Sequence, residues 1–143
     1  MKKERLFIIA AFSVVIADQI SKFLIAKYLQ YSVPLIKNIL HLTYIENTGA
    51  GFGLFKNMNS LLIWVAIIII GIIFYNYNKI PKENLPQIMT GLIVGGAFGN
   101  LISRIFLGYV IDFIDFRIWP AFNIADSAIT IGAIGLIIFF WKK

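Results

Sequence analysis

At 143 residues the chain has the size of one domain, and 59% of its residues are hydrophobic. A soluble domain that small has too little interior to bury so much apolar sequence, so residues 1–143 read as a single integral membrane domain. The charge of +6 does not point to nucleic acid, because the basic residues stand in ones and twos beside apolar runs. With no cysteine, disulfides, thiolate metal sites and a Cys nucleophile are excluded, and the lone His41 gives no basis for a His-built metal centre or a Ser-His-Asp triad.

The first element predicted is a transmembrane helix over about residues 6–28. Its N-terminal MKKER followed by an apolar run resembles a cleaved leader, but no small-residue cleavage site follows and the helical pattern continues to Tyr28. Asp18 and Lys22 stand four apart and share a helix face, which fits both an ion pair that permits insertion and a site role. Residues 29–59 are too polar to span. Ser32–Ile36 and Ile39–Tyr44 are short β-prone runs, so a small strand-containing subdomain outside the membrane is expected there. It closes with the glycine-rich Asn47–Gly53, in which Gly49 lets a ligand approach closely and Phe52 offers an apolar contact. A phosphate loop is excluded, since its Lys and Ser/Thr are missing.

A second span is predicted over about 60–77, without ionisable residues in its apolar run, and a prolyl, charged turn begins at Asn76. The third span, about 87–107, carries Gly91, Gly95 and Gly99 every four residues, a flat ridge for close helix packing, and the i, i+4 pair Asn100 and Arg104. The fourth covers about 122–141. Four spans put both termini on one side, where Lys2, Lys3, Arg5, Lys79, Lys82, Lys142 and Lys143 favour the cytoplasm. The fold class expected is therefore an all-α membrane protein of four transmembrane helices with a small β-containing extracytoplasmic subdomain.

The stretch Gly108–Gly135 holds two carboxylates, Asp112 and Asp126, flanking a short loop, the second already inside an apolar helix. A charge at that depth costs several kcal/mol, which argues for a use. If the two converge on one water they form an aspartic dyad, with one proton shared between an acid and a base. If they do not, each caps a helix or pairs with an arginine. Asp115, three residues from Asp112, competes for the same role, and Asn123 reads equally as a helix N-cap and as a residue orienting Asp126. Helix rise aligns the polar groups: Asp18 lies roughly 18 Å above Leu6, Asn100 roughly 18 Å above Ile88, and Asp126 roughly 6 Å below the outer end of its span. Polar residues of three helices thus share one layer near the outer face.

Five ordered motifs cover almost the whole chain: DQxxK at Asp18–Lys22, NTGAGFG at Asn47–Gly53, GGAFGNLISR at Gly95–Arg104, GYVIDF at Gly108–Phe113 and FNIADS at Phe122–Ser127. In this order the chain resembles the lipoprotein signal peptidases, or type II signal peptidases. The resemblance implies an intramembrane aspartyl peptidase of the bacterial cytoplasmic membrane that cuts prolipoproteins on the N-terminal side of a diacylglyceryl-modified cysteine. It implies Asp112 and Asp126 as the catalytic pair, and Asp18, Lys22, Asn47, Asn100, Arg104 and Asn123 as supporting residues. No metal, cofactor or nucleic acid is implied; the partners are prolipoprotein substrates and membrane lipid, and the chain is expected to act as a monomer. One position departs: the third-helix motif of the family ends in Asp-Arg, and here it reads Ser103-Arg104. The expectation is that Arg104 then lacks an acid. Two readings from other classes stand beside this one, an inactive lipoprotein-binding relative and a small proton-coupled transporter or channel subunit.

Overall fold

The computed structural model describes residues 2–51 and 54–142. The expectations placed on Phe52 and Gly53 therefore lie outside the described residues. In chain order the elements are α1 (Lys2–Tyr28), β1 (Val33–Ile36), β2 (Leu40–Asn47), α2 (Asn59–Tyr75), α3 (Asn84–Leu107), β3 (Val110–Asp115) and α4 (Ile124–Trp141). Among the described residues, three helices are long and apolar enough to cross a membrane, Glu4–Tyr28, Asn84–Leu107 and Ile124–Trp141; α2, at 17 residues, is shorter.

The helices begin and end where local chemistry dictates. No glycine or proline interrupts α1. Pro86 is accepted in the first turn of α3, where its missing N–H has no intrahelical partner to lose. Gly108 closes that helix in the left-handed region, at φ 84°, and its N–H returns to the Arg104 carbonyl. Asn123 opens α4 with a capping box, accepting from the Asp126 N–H at 3.0 Å while Asp126 Oδ2 accepts the Asn123 N–H at 3.3 Å.

Helix α3 lies between α1 and α4, and glycine is what lets it do so. A Cβ at Gly95 would stand 2.5 Å from the Ala11 carbonyl oxygen, and one at Gly91 2.6 Å from that of Phe7. On its other flank Gly96 meets Ala125 and Ile129. In lipid no hydrophobic force drives helices together, so this backbone-to-backbone approach supplies the packing. The predicted ridge is present and works on α1 through Gly91 and Gly95, while Gly99 faces Asp18 and Ala125. Helix α2 packs on α3 with Ile70 as its buried residue and leaves its apolar side chains, Trp64 and Ile72 among them, facing outward.

The strands form one antiparallel sheet in the order β1-β2-β3. The sequence placed the β structure within 29–59 alone; the third strand comes instead from the segment between α3 and α4. The reason is pairing: a two-stranded hairpin is marginal and the open side of β2 needs a partner. Val110, Ile111 and Phe113 of β3 are buried. The chain then turns back, Phe122 bridging Ile114, which brings the start of α4 beside the strand.

Candidate active site

Asp112 sits in the middle of β3, opposite Ile45, and is 2% exposed. Its Oδ2 accepts from Asn47 Nδ2 at 2.8 Å and its Oδ1 from Asn123 Nδ2 at 2.7 Å. Asp126, in the first turn of α4, accepts from Asn100 Nδ2 at 2.8 Å in addition to its capping bond. The N-cap and the residue orienting Asp126, foreseen as alternatives for Asn123, are one geometry, because the capping box also holds the Asp126 carboxyl through the Asn123 N–H; Nδ2 in addition reaches Asp112. Burial first, and the charge of Asp126 second, push the Asp112 carboxyl up to about 6 against the Asn47 and Asn123 hydrogen bonds and the Lys22 charge. Both carboxyl groups line a cavity of about 490 Å³.

Behind the pair lies a buried polar chain. Lys22 Nζ bonds Asp18 Oδ2 at 2.7 Å, Asn100 Oδ1 at 2.9 Å and Ser103 Oγ at 3.3 Å. Asp18 Oδ1 accepts the Ala125 N–H at 3.0 Å, fastening α1 to the start of α4. The ion pair and the site role weighed for Asp18 and Lys22 are thus compatible. Arg104 donates from Nη2 to the Gly49 carbonyl at 3.1 Å, and Asn47 Oδ1 accepts the Gly49 N–H at 2.9 Å. Gly49 has no room for a side chain, since its Cβ would lie 2.6 Å from the Leu54 carbonyl oxygen. Every described residue foreseen for the site therefore meets in one connected cluster.

Two expectations resolve differently. Asp115 lies on the opposite face of β3 from Asp112, as a three-residue separation along a strand requires. There it accepts from Thr43, the Arg117 amide and the Arg117 guanidinium; burial pushes its carboxyl up, but these donors hold it below the usual range. Among the described residues Arg104 has no ion pair with an acid, as expected, but the part assigned to position 103 in that is corrected. The Ser103 hydroxyl faces Lys22 and donates to the Gly99 carbonyl, while Arg104 turns to Gly49. Consecutive helix residues point about 100° apart, so an acid at position 103 would neighbour the lysine.

The sequence reading passed over Trp119, Thr130 and Ile131, which wall the cavity. Thr130 was within reach of it, being four residues past Asp126 on the same helix face; Trp119 has no comparable local signal.

A family model described as Signal peptidase (SPase) II matches residues 10–142. The lipoprotein signal peptidase of Halothermothrix orenii is 43% identical over 132 residues, covering 91% of each chain. That of Caldanaerobacter subterraneus subsp. tengcongensis is 48% identical over 130 residues, covering 89% of each. Among solved structures, a bacterial membrane enzyme determined by the in meso method at 2.3 Å superposes with a TM-score of 0.89 at 36% identity, over 95% of this chain and 87% of that one. A second, at 1.9 Å, gives 0.86 at 36% identity over 96% and 93%. With the fold, the motifs and the relatives in agreement over nearly its whole length, the chain belongs to the signal peptidase II family, the lipoprotein signal peptidases.

Proposed function

We infer that this chain removes signal peptides from prolipoproteins as an intramembrane aspartic endopeptidase, with Asp112 and Asp126 as its catalytic pair. The observation that carries the reading is one residue: Asn123 holds both carboxyl groups at the wall of a single cavity, Asp112 through its side-chain Nδ2 and Asp126 through its backbone N–H. The charge of Asp126 disfavours ionisation of Asp112, so in this reading the coupled pair holds one proton. In the active form Asp112, pushed up to about 6, is the protonated member and donates to the scissile carbonyl oxygen, while Asp126, the ionised member, takes a proton from water. The water oxygen adds to the carbonyl carbon. Collapse of the tetrahedral adduct breaks the C–N bond, returns a proton to Asp112 and sends that on Asp126 to the leaving amine.

The cavity suits a lipid-bearing substrate. Trp119 and Ile131 give it apolar walls, and α4 carries it down from Asp126 past Thr130. A second cavity of about 240 Å³ touches Asp112 from the side of Glu46 and Lys56, a polar exit for the mature chain. The cut then falls on the N-terminal side of a diacylglyceryl-modified cysteine. Purified protein in lipid should cleave a prolipoprotein carrying the diacylglyceryl group and leave its unmodified twin largely intact. Equal turnover of both would overturn the lipid requirement, and no cleavage of either would favour an inactive binder. A proton path is poorly served, because between Leu6 and Ala17 α1 offers only the hydroxyl of Ser13.

In this reading α2 is the remaining span. Its 17 residues cover roughly 26 Å against a hydrocarbon core of about 30 Å, a mismatch that local thinning and flanking residues absorb. Four spans place both termini in the cytoplasm and the active site near the outer face of the bacterial cytoplasmic membrane, in a monomer surrounded by lipid. A cysteine at Asn57 should then react with an impermeant thiol reagent on intact cells, and one at Lys82 should not. The reverse labelling would invert the topology.

The pH dependence has a sign. With Asp112 as proton donor, kcat/KM of the free enzyme falls as pH rises through about 6. The Asn47 hydrogen bond favours the charged form of Asp112, so Asn47→Ala should move this alkaline limb to higher pH. A limb that stays in place, or moves down, would assign the titration to another group.

A further inference from the structure

Lys22 is 3% exposed and does not line the cavity, yet its ammonium stands one side chain from the catalytic pair. It donates to Asn100 Oδ1 at 2.9 Å, and Asn123 Nδ2 approaches the same oxygen at 3.3 Å. Asn100 Nδ2, the other end of that amide, donates to Asp126 Oδ1 at 2.8 Å. An ammonium has three donors and no acceptor, so it tolerates only the oxygen end of an amide. Flipping Asn100 would set an NH2 group against Nζ and present a carbonyl to the Asp126 carboxylate. Both contacts would be repulsive.

Resting on the reading of Asp126 as the base, we propose that Lys22 is a positioning residue that locks the amide of Asn100 with its N–H toward Asp126. The lysine touches no substrate; it acts through one amide. Asp18 anchors the ammonium from α1, and Ser103 completes its shell from α3. The other charged groups that act here are Asp126 on α4 and Asp112 on β3, both attractive to Lys22, with Arg104 on α3 also acting on the pair. Ser103 matters because a hydroxyl competes weakly for the ammonium. A carboxylate at that position would draw Nζ away from Asn100 and offset its charge.

The test uses the full-length enzyme in lipid with a diacylglyceryl-modified prolipoprotein. In Lys22→Met, kcat should fall roughly ten- to a hundredfold with KM nearly unchanged, and the acid limb of the pH–rate profile should move to higher pH, because a freed Asn100 can turn its carbonyl oxygen to Asp126 and accept a hydrogen bond from the protonated carboxyl. The same substitution in an Asn100→Ala background should cost nothing further, since the lysine has lost the group it acts through. Lys22→Met leaves the Asp18 carboxylate buried without its counter-ion, so Asp18→Asn/Lys22→Met repeats the measurement without that strain on folding. Ser103→Asp removes no partner and should shift the acid limb upward without lowering the melting temperature. A lower melting temperature with unchanged kcat and pH profile in the lysine variants would reduce Lys22 to a structural ion pair. An unmoved acid limb in Ser103→Asp would equally sink the proposal. Asp126→Asn, run alongside, separates the two readings: turnover in that variant overturns the dyad itself, whereas a dead Asp126→Asn beside a kinetically normal Lys22→Met overturns only the role of the lysine.

Discussion

Asp112→Asn and Asp126→Asn each bring cleavage down by on the order of ten-thousandfold or more, while the protein still folds and inserts. An amide fills nearly the same space as a carboxyl, so packing at β3 and at the start of α4 is retained. What it cannot do is hold or release the proton that the pair shares. Asp112→Asn leaves no donor for the scissile carbonyl oxygen, and Asp126→Asn leaves no base for the water. Asp115→Asn is the matched control. That carboxylate is held by Thr43 and Arg117 on the far face of the strand, so its loss should touch stability before turnover. Turnover is read on lipid-modified prolipoprotein, and folding by thermal unfolding in detergent. Substantial activity in either folded dyad variant, or a dead but folded Asp115→Asn, would dismantle the assignment of Asp112 and Asp126.

The second large effect belongs to Asn123, because one side chain performs two jobs that substitution can separate. Asn123→Ala removes the cap of α4, worth about 1 kcal/mol, and also strips a donor from buried Asp112, worth about 1–3 kcal/mol. Asn123→Ser keeps an oxygen for the Asp126 N–H but has no Nδ2 to reach Asp112. The serine variant should therefore regain much of the stability lost in the alanine variant while activity remains down by roughly a hundredfold. With one donor gone from its charged form, Asp112 titrates higher and the alkaline limb follows it upward. Melting temperature and kcat against pH, for both variants, decide the matter. If serine restores activity along with stability, Asn123 is only a cap.

What the sequence settled by itself is what depends on near neighbours along the chain. Apolar runs broken at Gly108 and at the prolyl turn after Tyr75 gave the helices to within a few residues, because hydropathy and helix termination are local properties. The four-residue spacing of Gly91 and Gly95 gave the packing ridge for the same reason, and spacing along α1 joined Asp18 to Lys22. The motif order, read as a resemblance, named Asp112, Asp126 and the polar residues around them. Tertiary structure alone decided which of these touch. Strand β3 exists because β2 offers an unpaired edge, and that edge lies more than sixty residues away along the chain. The face of α3 that carries Ser103 meets α1 at Lys22, while Arg104 turns to Gly49. Such outcomes follow from how each helix is rotated in the bundle. That rotation is set by where glycines let backbones close, and it is not written in the spacing of residues on any one helix.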